Sequence, residues 1–539
     1  MKKFMRLMIL LCLSCSMIFS SVGCSCGSDD YGDRKIINFG CYEGGWGREW
    51  LDSAIVEFEK MYPEYKVIVD YNKEGYTGSN ILSKIDTIPQ DIYYTSMNLY
   101  DYLDRDALLD ITDVVTTPLN QYLSDSAVAF TEEKTIESKM WKDMKDYETS
   151  KDGKYYAIPF GGGLWSLNYD RDLFDAKNLF IAKNGIGNWC NLDGDLSVGL
   201  DGIEGTYDDG LPTTYDEFTV LLDRMTNIVG VIPFTWSNIN GYTQHFAQAF
   251  AVAQDGADVF NAFKKMDGTN VNIVGQGSVS ITKENAYKLS NTIGKYDALR
   301  FAYDVIHYGH YYSKSGSGSM DHLNAQRVYL QSVDVAKTSS ANKPIAFFID
   351  GGHWYNEAKD TLDEMASSSD DYKNRQIAVM PFPLFDNATA TKATQFISSP
   401  ASCICIRKNA KEPDGCKKLL AFLNSDEALI LSTKTCGVIR FMDYELDEAT
   451  LSQMPYYYQS MWKAGKAADI CYNLCDNSLI YKNYSYFDEG GWEWTCVTSD
   501  NKNIYNPLND FKNDSSLEVE HFFSALYTAQ EKQWDKLSK

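Results

Sequence analysis

The alternation of apolar and polar positions sets out a repeating architecture from the start of the chain. KIINFGCY, beginning at Lys35, is an apolar, β-rich run that reads as a buried strand. After the loop EGGWG comes REWLDSAIVEFEKMYPEY, whose apolar positions recur at helical spacing, and VIVDY then reads as a second strand. Strand, glycine-containing loop, helix and strand predict a βαβ opening, and so a mainly parallel sheet. Ligands of such sheets collect at the carboxyl ends of the strands, which puts Tyr42, Glu43 and Trp46 in a loop facing a cleft. The pattern then recurs: ILSKIDTI is helical in spacing, QDIYYTS is strand-like, and LDRDALLDITDVV reads as a helix and its exit. In KDGKYYAIPFGGGLWSLNYDRDLF a strand meets Gly161, Gly162 and Gly163 before another strand and a helix start. Glycine lets the backbone turn sharply at little steric cost, as a crossing between two lobes requires.

Length agrees with two lobes, because 539 residues exceed the roughly 250–300 at which a single hydrophobic core stops growing. Aromatic residues make up 14% of the chain, a proportion that suits flat, partly apolar ligands as well as core packing. The formal charge of -24, spread along the chain, argues against nucleic acid or an anionic lipid surface as a partner. At the N-terminus, basic MKKFMR precedes the apolar run LMILLCLSCSMIFS, of signal-peptide rather than membrane-spanning length, and then SVGC. Residues 1–23 thus resemble a bacterial lipoprotein signal, whose cleavage would leave Cys24 carrying lipid on the outer face of the cell membrane. Ser21 stands where that pattern usually has Leu, Cys26 is a second candidate, and ordinary secretion is the alternative. The small, polar stretch that follows suits a tether over 24–35. The later cysteines form no zinc-ribbon spacing, and their pairing cannot be read from sequence; disulfides and buried free thiols both fit an exterior protein.

The order of segments carries a family resemblance. The loop with Trp46, the helix ending in MYPEYKVIV, QDIYY, DGKYYAIPFGGGLWSLNYDRDLF, LPTTYDEF, VIPFTW, PIAFFIDGGHWYNEA, AVMPFPL and KKLLAFLNSDEALILSTKTCGVIR follow one another over residues 36 to about 440. Together they resemble the extracellular solute-binding proteins of ABC importers, most of all the branch that binds sugars and oligosaccharides. Asp170 and Arg171 depart from the family's habit of Asn-Lys at that place. The resemblance implies an α/β fold of two lobes, with a hinge and a ligand cleft between them. Carried onto this chain, 36–160 and 400–440 form the N-terminal lobe, and 161–399 and 441–539 the C-terminal lobe.

A sugar site needs aromatic platforms for C–H faces and polar side chains for hydroxyl edges. Trp46 is one candidate platform. Trp236 in VIPFTW and Trp354 in GGHWYN, which follow strand-like runs, stand where the family often places stacking aromatics. Glu43, Asn238 and Asp350 are the candidate polar partners, though solvated loop ends suit them equally. Trp50 reads as core, Trp165 and Tyr169 as hinge lining or packing, and Trp492 and Trp494 as an extended subsite or a cover. His307 and His310 have chelating spacing without an accompanying ligand set, and no hydrolase or phosphate-loop motif occurs. The loop NLDGDLSVGLDGIEGTYDDG offers a calcium set in Asp193, Asp195, Ser197, the Gly199 carbonyl, Asp201 and Glu204. Val198 occupies the place of the usual turn glycine, so a hydrated insertion is the competing reading.

These features lead to the expectation of a lipid-anchored, monomeric binding protein, not an enzyme. It would need no cofactor beyond a structural calcium ion, would capture a carbohydrate by lobe closure and would deliver it to a membrane permease. A secreted glycan-cleaving lipoprotein and a sugar sensor for a membrane receptor are the alternatives.

Overall fold

The computed structural model describes residues 31–537 except 78–79, 82, 97–105, 150–151, 309–310, 399–401, 474–476, 478, 481–482, 484–495, 498–502 and 505. Two sheets organise it, built from β1 (Lys35–Cys41), β2 (Tyr65–Tyr71), β3 (Ile92–Ser96), β4 (Ala157–Pro159), β5 (Trp165–Asp170), β6 (Ile232–Trp236), β7 (Ile345–Gly351), β8 (Ile377–Met380), β9 (Thr394–Ile397), β10 (Ser402–Ile406) and β11 (Asp469–Tyr472). The helices that matter for the site are α1 (Glu49–Met61), α2 (Asn240–Asp255), α3 (Ile293–His307), α4 (His322–Thr338), α5 (Asp426–Cys436), α6 (Tyr456–Ala467) and α7 (Val519–Trp534).

The first sheet has the order β2-β1-β3-β10-β4. β1 runs parallel to β2 and β3, as the βαβ opening predicts, while β10 lies antiparallel to β3 and β4. α1 forms because its apolar residues fall on one stripe, and it buries Trp50, Leu51, Ala54, Ile55, Phe58 and Met61. Trp50 is therefore core, with its ring 4.6 Å from Phe160 and 5.4 Å from Tyr94.

The second sheet has the order β11-β9-β5-β7-β6, with β8 also paired to β5. Its period of two separates two sets of side chains. Leu167, Tyr169, Phe234, Trp236, Phe347 and Ile349 join one core with Phe246 and Phe250 of α2 and Phe301 of α3. Phe348 lies on the opposite face with Tyr329 of α4, Trp354 and Tyr457 of α6, in a core continuous with that of the first sheet. In the far C-terminal segment, Leu508, Phe511, Phe522 and Leu526 join the second sheet's core beside α3.

The crossing at Gly161–Gly162 is clamped by an antiparallel pairing with Ile439–Arg440. No side chain fits there: a Cβ on Gly161 would lie 2.3 Å from the Ile439 carbonyl oxygen. Arg440, 1% exposed, donates through Nε to the Phe160 carbonyl (2.6 Å) and through Nη2 to Asn424 (2.9 Å). Burial without a carboxylate partner pulls its guanidinium down to about 10. The departure at Asp170 also has a structural reason. Asp170 caps the helix Arg171–Lys177 by accepting the Leu173 N–H (3.0 Å) and forms a buried ion pair with Arg375 (2.6 Å). Cys41, Cys190, Cys405, Cys416, Cys436 and Cys471 are free thiols. Among the described residues, no helix is long and apolar enough to cross a membrane.

Candidate functional site

The loop after β1 reaches across to the second lobe. The Tyr42 N–H donates to the Tyr94 carbonyl (2.9 Å), and the Gly47 N–H closes a turn onto Gly44 (3.1 Å). Tyr42, Glu43 and Trp46 are half-buried. Glu43 is held by Arg48, whose Nη2 donates at 2.9 Å. The Trp46 ring meets the crossing so closely that a Cβ on Gly163 would lie 2.9 Å from both its Cη2 and the Gly352 Cα. On this side of the crossing, close approach of three segments requires glycine.

Facing the loop is the end of β7, where Gly351 pairs with Trp165 at the start of β5. Aromatic and imidazole rings cluster here. His353 lies 6.3 Å from Trp46, 5.9 Å from Trp165 and 5.5 Å from Tyr242; Trp165 is 5.2 Å from His245, and Tyr242 is 5.7 Å from His322. The first turns of α2 and α4 supply Tyr242, His245 and His322.

A polar edge adjoins these rings. Gln326 Nε2 donates to Glu357 (2.9 Å), Asp350 Oδ1 accepts the Gly351 N–H (2.7 Å), and His353 Nε2 lies 3.8 Å from the same oxygen. Asp350 is fully buried and Gln326 is 1% exposed. Asp350 Oδ2, Gln326 Oε1 and His322 Nδ1 nevertheless have no hydrogen-bond partner. Buried polar atoms are nearly always paired, so three orphans at one corner are places that an ordered water or a bound ligand would satisfy. Burial, reinforced by the nearby Glu357 charge, pushes the Asp350 carboxyl well above the usual range, while burial holds His353 below its usual value.

The structure brings together Tyr42, Glu43, Trp46 and Asp350 and corrects two expected platforms. Trp354 is fully buried, its indole N–H donating to Tyr457 (2.9 Å) and its ring meeting Tyr329, Phe348, Tyr355 and Tyr457 edge-on. Trp236 is likewise fully buried, with its N–H bonded to Asn509 (3.0 Å) in the C-terminal segment. Both rings are core, and neither presents a face to a ligand. Asn238 is exposed, and its backbone N–H donates to the Met320 carbonyl (2.8 Å). Tyr242, His245, His322, Gln326, His353 and Glu357 were not singled out by sequence reasoning, and Trp165 was weighed only as hinge lining or packing. Their signal was position: each stands in the first turns of a helix or directly after a strand.

The acidic loop is organised by Asp208, a residue outside the calcium pattern. Asp208 is fully buried, accepts the Asp201 N–H (3.1 Å) and the Thr206 hydroxyl (2.9 Å), and is raised by burial. Asp201 accepts from the Ile203 N–H (2.8 Å), and Glu204 turns out to Lys183 at 3.4 Å with 74% of its side chain exposed. Asp193 and Asp195 are exposed, Ser197 donates its N–H to Ile181 (2.9 Å), and Gly199 lies against Asp208. Among the described residues, no group of three His, Cys, Asp or Glu side chains is arranged to hold a metal ion. As folded here, the proposed ligands do not fit calcium. Cys24, Trp492, Trp494 and His310 lie outside the described residues, and His307 lies tilted against Tyr303 with ring centroids 4.3 Å apart.

Solved structures share this architecture. The GacH receptor of Streptomyces glaucescens, solved unliganded and with acarbose, aligns over 94% of this chain and 100% of its own at 11% identity and a TM-score of 0.54. A manno-oligosaccharide-specific solute-binding protein of Bifidobacterium animalis subsp. lactis, in complex with mannotriose, aligns over 95% and 97% at 12% identity and a TM-score of 0.54. The solute-binding protein RafE, in complex with raffinose, aligns over 93% and 100% at 12% identity and a TM-score of 0.52. At such identities the likeness is one of fold. No curated protein matches the chain by sequence. Residues 53–443 match the family described as bacterial extracellular solute-binding protein, and on that match the chain belongs to this family of binding proteins rather than enzymes.

Proposed function

We propose that the protein captures a carbohydrate, an oligosaccharide, between its lobes and hands it to an ABC permease, working as a monomer held to the outer membrane face by lipid on Cys24. One observation carries the reading. Half-buried Trp46 and Tyr242, both against His353, adjoin a corner where Asp350, Gln326 and His322 keep unpartnered buried atoms. Rings for the C–H faces of a sugar and unsatisfied atoms for its hydroxyls form one site. The sugars named for the aligned structures support the same class of ligand. Ligand bridging the lobes favours the closed form by differential affinity, and the permease reads closure.

Titration calorimetry and thermal melting against neutral di- to tetrasaccharides test this, with product analysis of the same samples. A true ligand at about 100 times its Kd stabilises the fold by about 2.7 kcal/mol, with no new products. Hydrolysis, or no stabilisation by any sugar, refutes the proposal. For the anchor, Cys24→Ala moves the protein from the membrane fraction to the medium; retention at the membrane counts against lipidation there.

A further inference from the structure

Asp350 ends β7 without solvent exposure and without a cation. Among the described residues no Lys or Arg pairs with it, and His353 Nε2, 3.8 Å from Oδ1, is too far for a hydrogen bond. Burial disfavours the charged form of His353 as well, so the imidazole does not serve as a counter-ion. The other groups facing Asp350 bring no positive charge. Tyr242 and Tyr457 are neutral phenols, the Gln326 amide beside it is held by Glu357 (2.9 Å), and Glu357 adds a negative charge. A carboxyl buried in such surroundings takes up a proton rather than carry its charge, the same direction in which burial and Glu357 push Asp350.

The hydrogen bonds also fix which oxygen carries that proton. Oδ1 accepts the Gly351 N–H (2.7 Å) and is therefore the carbonyl oxygen of the acid, while Oδ2, which has no partner, is its hydroxyl. A buried O–H without an acceptor is costly, and so is the neighbouring Gln326 Oε1, an acceptor without a donor. A sugar hydroxyl answers both needs, accepting from Asp350 and donating to Gln326. Water serves the same two atoms until a ligand displaces it.

We propose, resting on the sugar-binding reading above, that Asp350 works as a neutral acid: its Oδ2–H donates to an oxygen of the bound sugar, beside Gln326 Oε1 as the acceptor. The test uses the full mature chain and the neutral gluco-, galacto- or manno-oligosaccharide that it binds most tightly. Infrared difference spectra at pH 7 between wild type and Asp350→Asn should show a protonated carboxyl band that belongs to Asp350 and shifts when the sugar is added. Calorimetry then compares two variants. Asp350→Asn places an amide N–H at the Oδ2 position, because the Gly351 N–H keeps the carbonyl oxygen at the Oδ1 position, whereas Asp350→Ala has no donor. Asp350→Ala should lose at least tenfold more affinity than Asp350→Asn. Circular dichroism and melting confirm folding; if Asp350→Asn does not fold, the sugar-bound minus sugar-free spectrum of the wild-type chain carries the test, again through a shifted protonated carboxyl band. A missing band, a band unmoved by sugar, or equal losses in the two folded variants overturns the neutral donor and leaves sugar binding standing. Binding of no sugar at all overturns both this proposal and the function it rests on.

Discussion

Asp170→Ala removes two different interactions at one point, and the structure gives the size of each. The carboxylate is the N-cap of the helix Arg171–Lys177, accepting the Leu173 N–H at 3.0 Å. Losing such a cap costs about 1 kcal/mol. Its other oxygen holds Arg375 at 2.6 Å, with side-chain exposures of 1% for the aspartate and 5% for the arginine. Arg375 stays in place through its bond to the Leu330 carbonyl (2.7 Å), so the substitution strands a buried guanidinium, which costs about 3–5 kcal/mol. The two losses share one side chain and need not add in full, so a fall of about 4 kcal/mol in unfolding free energy is expected. Urea titration followed by tryptophan fluorescence and far-ultraviolet circular dichroism measures it. Asp170→Asn, which can keep the cap but not the charge, should recover only about 1 kcal/mol. Adding Arg375→Met to Asp170→Ala should recover more than half of the loss, because the stranded charge is then gone. A loss below about 1.5 kcal/mol for Asp170→Ala, or no recovery with Arg375→Met, would refute the reasoning.

Three further outcomes follow from other parts of the molecule. Gly163→Ala forces a Cβ into contact 2.9 Å from Trp46 and from the Gly352 backbone. It should destabilise by about 1–3 kcal/mol and weaken ligand binding in the same titrations, and an unchanged affinity would separate the crossing from the site. Burial raises Asp297 to about 7 and Asp255 to about 6. The native state then holds protons that the unfolded chain has released, so stability should fall as pH rises from about 4 to 7. Each group contributes a slope of at most about 1.4 kcal/mol per pH unit, and a steeper loss in Asp297→Asn than in wild type over that window would contradict the assignment. In the acidic loop, Asp208→Ala should cost about 1–3 kcal/mol by leaving the Asp201 N–H unpaired, and the wild-type melting temperature should be the same in calcium and in chelator. A rise with calcium would mean that the ion gathers carboxylates that stand apart here.

Much of the framework was legible because it rests on short-range rules. The βαβ opening, the crossing at Gly161–Gly163 and the loop bearing Tyr42, Glu43 and Trp46 follow from apolar periodicity and glycine placement. The misassigned platforms show where such rules stop. Trp236 shares the strand face of Phe234, but only the fold reveals that the C-terminal segment covers that face. In GGHW the backbone enters a helix, so one residue changes direction by about 100°; His353 turns toward Trp46 while Trp354 turns into the core. Tyr242, His322 and Gln326 lie on helices whose periodicity identifies a buried side without saying that their first turns meet the end of β7. Asp350 was readable as a strand-end carboxylate, but its unpartnered oxygen was not.

The thiols bear on how such a chain matures. Outside the cell oxidation favours disulfides, yet Cys41, Cys190, Cys405, Cys416, Cys436 and Cys471 are free thiols, and all of these but Cys190 are buried. Burial raises Cys41 and Cys416 and pushes Cys436 and Cys471 up to about 12, which suppresses the reactive thiolate. Export then becomes a race between collapse and cross-linking: thiols that are inert in the finished fold are open to mispairing until the two sheets close over them.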